Sequence, residues 1–233
     1  MSLETYRKKR NFAMTPEPSG ARARSTVGRR LLYAVQKHQA RNLHYDFRLE
    51  WNGVLLSWAV PKGPSLDPAV KRLAMRVEDH PADYAGFEGV IPEGQYGAGT
   101  VMVWDKGTWV PDDLDVEAAL RRGELKFTLN GEKLRGSWVL VRTKSGYPPS
   151  SGRPAWLLIK HRDEFASKRD VEAAMPRSAS TNRTLTEITR DEGGESGEAP
   201  PANPDERPVR PVRRASTAAR PARRAARARK SLR

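Results

Sequence analysis

Between residues 31 and 162 the chain is a succession of short apolar or alternating runs, at 31–38, 43–51, 54–60, 72–79, 99–110, 125–143 and 155–162, separated by turn residues. A period of two, filled with Val, Leu, Trp and Tyr, is the pattern of half-buried β-strands. Asn52-Gly53 and Asn130-Gly131 are residue pairs typical of two-residue hairpin turns, and Lys106-Gly107 is a third candidate. Residues 115–122 fit a helix opened by Asp115 and closed by Gly123, and a second helix is expected over about 163–174. Hairpins outnumber helices, so the expected fold is mainly β, an antiparallel barrel or sandwich.

The pattern stops at both ends. Residues 1–30 are polar with scattered Arg and read as an arm, leaving 31–175 for the folded β domain. Aromatic residues end at Phe165, and 176–233 are mostly Ala, Arg, Pro, Ser and Glu. So few large apolar side chains cannot offset the entropy of ordering, and 176–233 is expected to be a disordered basic tail. It holds 14 Lys+Arg against 7 Asp+Glu, half of the whole chain's net charge of +14, and suits an electrostatic anchor on a phosphate backbone.

The run from Leu43 to Trp51 carries the chemistry. In a strand its apolar face is Tyr45, Phe47 and Leu49, and its other face is His44, Asp46 and Arg48. His38 can fold in from the preceding turn. Two histidines and a carboxylate form a ligand triad for a borderline divalent ion such as Mn, Fe or Zn, and the neighbouring guanidinium suggests an anionic substrate, a phosphate. The competing reading of His44 and Asp46 is the polar outer face of an amphipathic strand. His80, held by Pro81 in extended or turn geometry, is a candidate phosphate contact or proton donor. His161 reads as surface. Gly94-Gln95-Tyr96-Gly97-Ala98-Gly99 precedes a strand rather than a helix, the wrong setting for a nucleotide-binding glycine loop, and reads as a turn. Trp58, Trp104, Trp109 and Trp138 alternate with apolar neighbours and read as core.

Charge sharpens the partner class. With 42 Lys+Arg against 28 Asp+Glu, a polyanionic partner is favoured, most often a nucleic acid, though basic charge alone would also suit a membrane surface. There is no Cys, which excludes thiolate chemistry. No apolar run is long enough for a membrane span, and the N-terminus lacks a secretory pattern, so a cytoplasmic protein associated with the nucleoid through DNA is expected.

The stretches V-Q-K-H-Q-A-R-N-L-H-Y-D-F-R-L-E (35–50), S-W-A-V-P-K-G-P-S (57–65), V-E-D-H-P-A-D-Y (77–84), F-E-G-V-I-P-E-G-Q-Y-G-A-G (87–99) and W-L-L-I-K (156–160) together resemble the 3′-phosphoesterase domain of bacterial ligase D, the end-joining repair enzyme. The resemblance implies a mainly β fold, a small antiparallel β-barrel with a few flanking helices, and a Mn2+-dependent enzyme that trims DNA or RNA 3′ ends, removing a terminal ribonucleoside and then the 3′-phosphate to leave a 3′-OH. It implies His38, His44 and Asp46 as metal ligands, with other divalent transition metals as substitutes. It places Arg48 and His80 on the phosphate, with Tyr84 as a further catalytic group. Gln36, Ser57, Lys62, Arg72 and Glu78 match polar positions around the site. Residues 10–18, R-N-F-A-M-T-P-E-P, are similar to the family's arm, so Arg10 and Glu17 are expected to reach the site. Asn11 stands where the family has an acid, which implies a weaker ribonuclease step. The chain has no polymerase or ligase motifs, so a stand-alone enzyme is expected, acting on a primer-template with a separate ligase or end-binding repair protein. Two rivals remain: a non-haem iron oxygenase, and a non-catalytic nucleic-acid binder dominated by its tail.

Overall fold

A computed structural model describes residues 2–20, 30–146 and 154–193. Its strands are β1 (Leu31–Gln39), β2 (Leu43–Trp51), β3 (Val54–Val60), β4 (Lys71–Arg76), β5 (His80–Pro81), β6 (Gly89–Ile91), β7 (Gly99–Pro111), β8 (Glu124–Gly131), β9 (Arg135–Gly146) and β10 (Pro154–Lys160). The order β1-β2-β3-β4-β10-β9-β8-β7 closes on itself because β1 also pairs with β7. The result is a closed antiparallel barrel of eight strands, the expected fold class. β5 pairs with β3 and β6 with β7 outside that ring.

Strand alternation decides what fills the barrel. Tyr33, Val35, Tyr45, Phe47, Leu49, Leu56, Trp58 and Val60 point inward and meet Trp104, Trp109, Phe127 and Trp138 in one apolar core, so the four tryptophans read as core are core. The residues between them on β1 to β3, namely Gln36, His38, His44, Asp46, Arg48 and Ser57, face out. That outer face is covered. Helix α1 (Glu4–Lys8) and a 3-10 turn (Ala82–Gly86) lay Tyr6, Tyr84, Phe12 and Phe87 over Leu55 in a second apolar cluster. Tyr6, fully buried there, contributes on the order of 2 kcal/mol to holding the arm down.

Several local expectations change. Asn52-Gly53 is the β2–β3 turn, with φ of 48° and 79°, as its composition requires. Asn130-Gly131 instead ends β8, and the chain turns over Glu132–Leu134, where Gly131 N–H donates to the Leu134 carbonyl at 3.0 Å. Lys106-Gly107 lies inside β7, paired with both β1 and β8. A Cβ on Gly107 would sit 2.2 Å from the Asn130 carbonyl, so this glycine serves a close strand approach and not a turn. The helix α2 (Val116–Arg122) is as expected, with Asp115 accepting from Ala118 N–H and Gly123 at φ 88°. The second helix shrinks to α3 (Val171–Ala174), because Asp163 captures the backbone N–H groups of Ser137 and Phe165 and holds the preceding segment in turns. His161 is half-buried and bonded to Ser137.

The expected boundary at 175 is also moved. Residues 176–193 are structured, with helix α4 (Leu185–Asp191) in a capping box and Ile188 fully buried in the main core. Polar anchoring replaces apolar content here: Glu88 accepts from Ser178 (2.5 Å), Thr181 and Arg183, and Ala179 N–H donates to the Val103 carbonyl. The tail reading beyond 193 falls outside the described residues. No helix among the described residues is long and apolar enough to cross a membrane.

Candidate metal and phosphate site

His38 is on β1 itself, not in a turn, and lies directly across from His44 on β2. Asp46 follows two residues on, and Arg48 two further, all on the outer face. His38 Nδ1 is 3.9 Å from Asp46 Oδ2, and His44 Nε2 is 3.8 Å from Asp46 Oδ1. The three ligand-capable atoms lie within 4.8 Å of one another. Ligands about 2.1 Å from one ion stand at most about 4.2 Å apart, so small side-chain rotations close the group on a metal.

Both rings are oriented for that task. His38 Nε2 is 2.9 Å from the Gly97 carbonyl and His44 Nδ1 is 2.9 Å from the Asn42 carbonyl. A carbonyl only accepts, so each of those nitrogens carries the proton, and His38 Nδ1 and His44 Nε2 are left with lone pairs turned toward Asp46. The donor set fits a divalent transition metal. Burial first, then the His44 ring, pushes the His38 pKa down to about 4, which outweighs Asp46 and keeps the ring neutral. Burial raises the Asp46 pKa, but Arg48, then His44 and His38, outweigh it and hold the group below the usual carboxylate range.

Arg48 is 2% exposed and wired on three sides. Its Nε donates to Gln36 Oε1 (2.7 Å), Nη1 to Ser57 Oγ (2.8 Å) and Nη2 to Asp46 Oδ2 (2.9 Å). Gln36 is itself fixed by donating to the Tyr84 and Phe87 carbonyls. Of the five guanidinium N–H groups, two remain for a ligand. The Tyr84 ring stacks 4.9 Å from the guanidinium carbon.

The arm completes the wall. Arg10 Nε bonds Glu17 Oε1 at 2.8 Å, and its Nη2 lies 3.3 Å from His80 Nε2. Glu17 also accepts from Tyr84 (3.0 Å) and Thr15 (2.9 Å), so a buried carboxylate has three donors. His80 Nδ1 faces the Glu78 carbonyl at 2.9 Å and carries the proton there, leaving Nε2 to accept from Arg10. Burial, Arg48 and Arg10 hold the His80 pKa well below its ordinary value, so His80 is neutral in the free protein. Burial, and then Glu17, hold the Tyr84 phenol well above its ordinary value, so it stays protonated.

Thus His38, His44, Asp46, Arg48, Gln36, Ser57, Glu78, His80, Tyr84, Arg10 and Glu17 converge on one site. Two residues do not join it. Lys62 is exposed in the turn after β3. Arg72 pairs with Leu158 and shares the inward-facing side of β4 with Ala74, opposite the outer face that carries the site. Asn11 is exposed and its side chain accepts from Ala13 N–H at 3.2 Å. Sequence reasoning missed Lys9, Tyr96 and Thr15, and it missed the two carbonyls. Lys9 Nζ bonds both Glu78 (3.1 Å) and the Tyr96 hydroxyl (3.0 Å), joining the arm to the glycine loop. The G-Q-Y-G-A-G motif held Tyr96 and the Gly97 carbonyl but read as turn chemistry, and the arm motif over 10–18 held Thr15 without assigning it a role.

The family model of the DNA ligase D 3′-phosphoesterase domain matches residues 36–142. That span includes every site residue above except Lys9, Arg10, Thr15 and Glu17 of the arm. The "Multifunctional non-homologous end joining protein LigD" of Pseudomonas aeruginosa is 54% identical over 186 residues, 78% of this chain and 22% of that protein. The protein of the same name from Mycolicibacterium smegmatis is 45% identical over 179 residues, covering 74% and 22%. The "Multifunctional non-homologous end joining DNA repair protein LigD" of Mycobacterium tuberculosis is 44% identical over 141 residues, covering 60% and 18%. The chain therefore spans about a fifth of the length of these relatives. Residues 36–142, which carry the paired histidines and most of the barrel strands, are thus similar to the DNA ligase D 3′-phosphoesterase domain.

Proposed function

We propose that this chain is a Mn2+-dependent phosphoesterase that hydrolyses the 3′-phosphate of DNA or RNA ends, and removes a terminal ribonucleoside, to leave a 3′-OH for end joining. The observation that carries the reading is the pair of carbonyl-locked imidazoles aimed at Asp46 beside a buried guanidinium with two free N–H groups. His38 Nδ1, His44 Nε2 and Asp46 would hold the ion, which supplies Lewis-acid polarisation of the phosphoryl group.

The chain's own residues do the rest. Arg48 presents a planar fork to two phosphate oxygens and stabilises the charge that grows on them. Gln36, Ser57 and the Tyr84 ring hold that fork flat. Ser57 Oγ donates to the Leu55 carbonyl and accepts from Arg48, so it is not primed as a nucleophile. Water therefore attacks phosphorus as the bond to the 3′ oxygen breaks. His80 enters neutral; a phosphate dianion beside it opposes the pull of the two arginines and, with Arg10 turned from Nε2 to the phosphate, lets Nε2 take a proton from solvent, which passes to the departing 3′ oxygen while the attacking water gives up a proton to solvent. Asn11, exposed and without charge, leaves the ribonuclease step the weaker of the two. The substrate is a primer-template end, in the cytoplasm, with ligation left to a repair partner.

The test is phosphate release from a primer-template bearing a 3′-phosphate, with Mn2+ and with chelator, in the wild type and His44→Ala. Metal-dependent conversion that His44→Ala abolishes is the expected result. No conversion by the folded, metal-loaded protein would reject the reading.

A further inference from the structure

Among the described residues two aromatic side chains stay exposed, Tyr96 at 46% and Phe165 at 39%. Only Tyr96 borders the site. It sits in a loop closed by two tight turns, Gln95 N–H to the Pro92 carbonyl (3.2 Å) and Ala98 N–H to the Gln95 carbonyl (3.1 Å). The next residue, Gly97, supplies the carbonyl that holds His38. The ring is therefore one residue from a group that touches the metal ligands. Its orientation is set from the arm: Lys9 bonds its hydroxyl and lies 4.4 Å from the ring centroid, and Arg10 lies at 5.5 Å. A latch whose only task was to join arm and loop would gain by burying the ring. Here the ring is fixed at its hydroxyl end and left open to solvent. An oriented, exposed aromatic ring beside cations is the means by which proteins stack unpaired bases.

We propose that Tyr96 is the stacking platform for the nucleobase at the substrate's 3′ end, with Lys9 holding the ring in place. This rests on the phosphoesterase reading, and it names what positions the terminal nucleotide so that its 3′-phosphate meets Arg48. The test uses a primer-template with 2-aminopurine as the 3′-terminal base and a 3′-phosphate, and measures fluorescence quenching on binding to the full chain. Wild type, Tyr96→Phe and Tyr96→Trp quench the base. Tyr96→Ala loses the quenching and binds about tenfold more weakly, within the range for one base on one aromatic ring. In turnover, Tyr96→Ala raises KM for the oligonucleotide by about tenfold more than KM for p-nitrophenyl phosphate, which has no base to stack. Equal quenching in all four proteins overturns the proposal. So does a Phe variant as defective as Ala, which would assign Tyr96 to the Lys9 latch alone. Binding needs no turnover, so a protein that quenches yet releases no phosphate refutes the phosphoesterase reading and leaves this one standing.

Discussion

Acid should unfold the metal-free protein earlier than its carboxylates alone require, and His38 supplies a measurable share. Folded, His38 is buried against the barrel wall and holds its pKa at about 4; in the unfolded chain it titrates near 6.5. Between those values the unfolded chain binds one more proton than the native state, so stability rises with pH across the window. It is lost as pH falls from 6.5 to about 4, and this group adds nothing further below that. The whole interval is worth about 3 kcal/mol, a large fraction of the 5–15 kcal/mol typical of a domain. His80, also held neutral by burial and two arginines, acts with the same sign. Subtraction isolates His38: in urea unfolding from pH 7 to pH 4, chelator-treated wild type should lose about 3 kcal/mol more than chelator-treated His38→Gln. Saturating Mn2+ at 100 times its Kd should add about 2.7 kcal/mol at pH 7 to the wild type only. Parallel curves for the two apo proteins would refute the assignment of a buried, neutral His38.

Three further outcomes follow from the site and its supports. Arg48→Lys keeps the charge but loses the fork, and turnover of a 3′-phosphate should fall about 100-fold with the fold intact by circular dichroism; wild-type kcat would remove Arg48 from the chemistry. Gly97→Ala puts a side chain at φ 80° and displaces the carbonyl that orients His38, so calorimetry should show about tenfold weaker metal binding. Ending the chain after residue 193 should leave thermal stability nearly unchanged, whereas ending it after 175, or Ile188→Ala, should cost about 2–5 kcal/mol. Equal melting of the two truncated chains would return 176–193 to the tail.

What the sequence made legible was local. Alternation over 43–51 is enough to put His44, Asp46 and Arg48 on one face, because strand period does not depend on the rest of the fold. Opposing His38 to His44 needs the β1–β2 register as well, which pattern alone does not supply. Arg10 and His80 are 70 residues apart, and only resemblance to a family could bring them together. The Asn42 and Gly97 carbonyls were invisible because every residue has one. Asn130-Gly131 and Lys106-Gly107 have the composition of turns, yet three paired strands, β1, β7 and β8, needed their slimness for contact. Residues 176–193 escaped because their anchors are hydroxyls and a guanidinium on Glu88, which a test of apolar content does not count.

The burial pattern also bears on the choice between an enzyme and an inert nucleic-acid scaffold. A binding surface gains most from cations near the phosphate backbone in solvent, where they release counterions and remain solvated. This chain does the opposite on β1 to β3. It buries Arg48, Arg10, Glu17, Asp46, His38 and His80 together under an aromatic lid, and must compensate each charge with specific partners. Replacing such a cluster with apolar side chains of equal volume commonly leaves stability unchanged or improves it, so stability does not explain its presence. Two imidazoles held neutral and a carboxylate held ionised, within reach of a guanidinium with unused donors, are groups set to one protonation state in advance of a ligand. That is what a reaction requires of its groups and what a docking surface has no use for. The same argument disfavours an oxygenase, since an iron site for oxygen needs open coordination positions but no phosphate-sized fork beside them. The burial pattern therefore supports the proposed phosphoesterase over an inert scaffold.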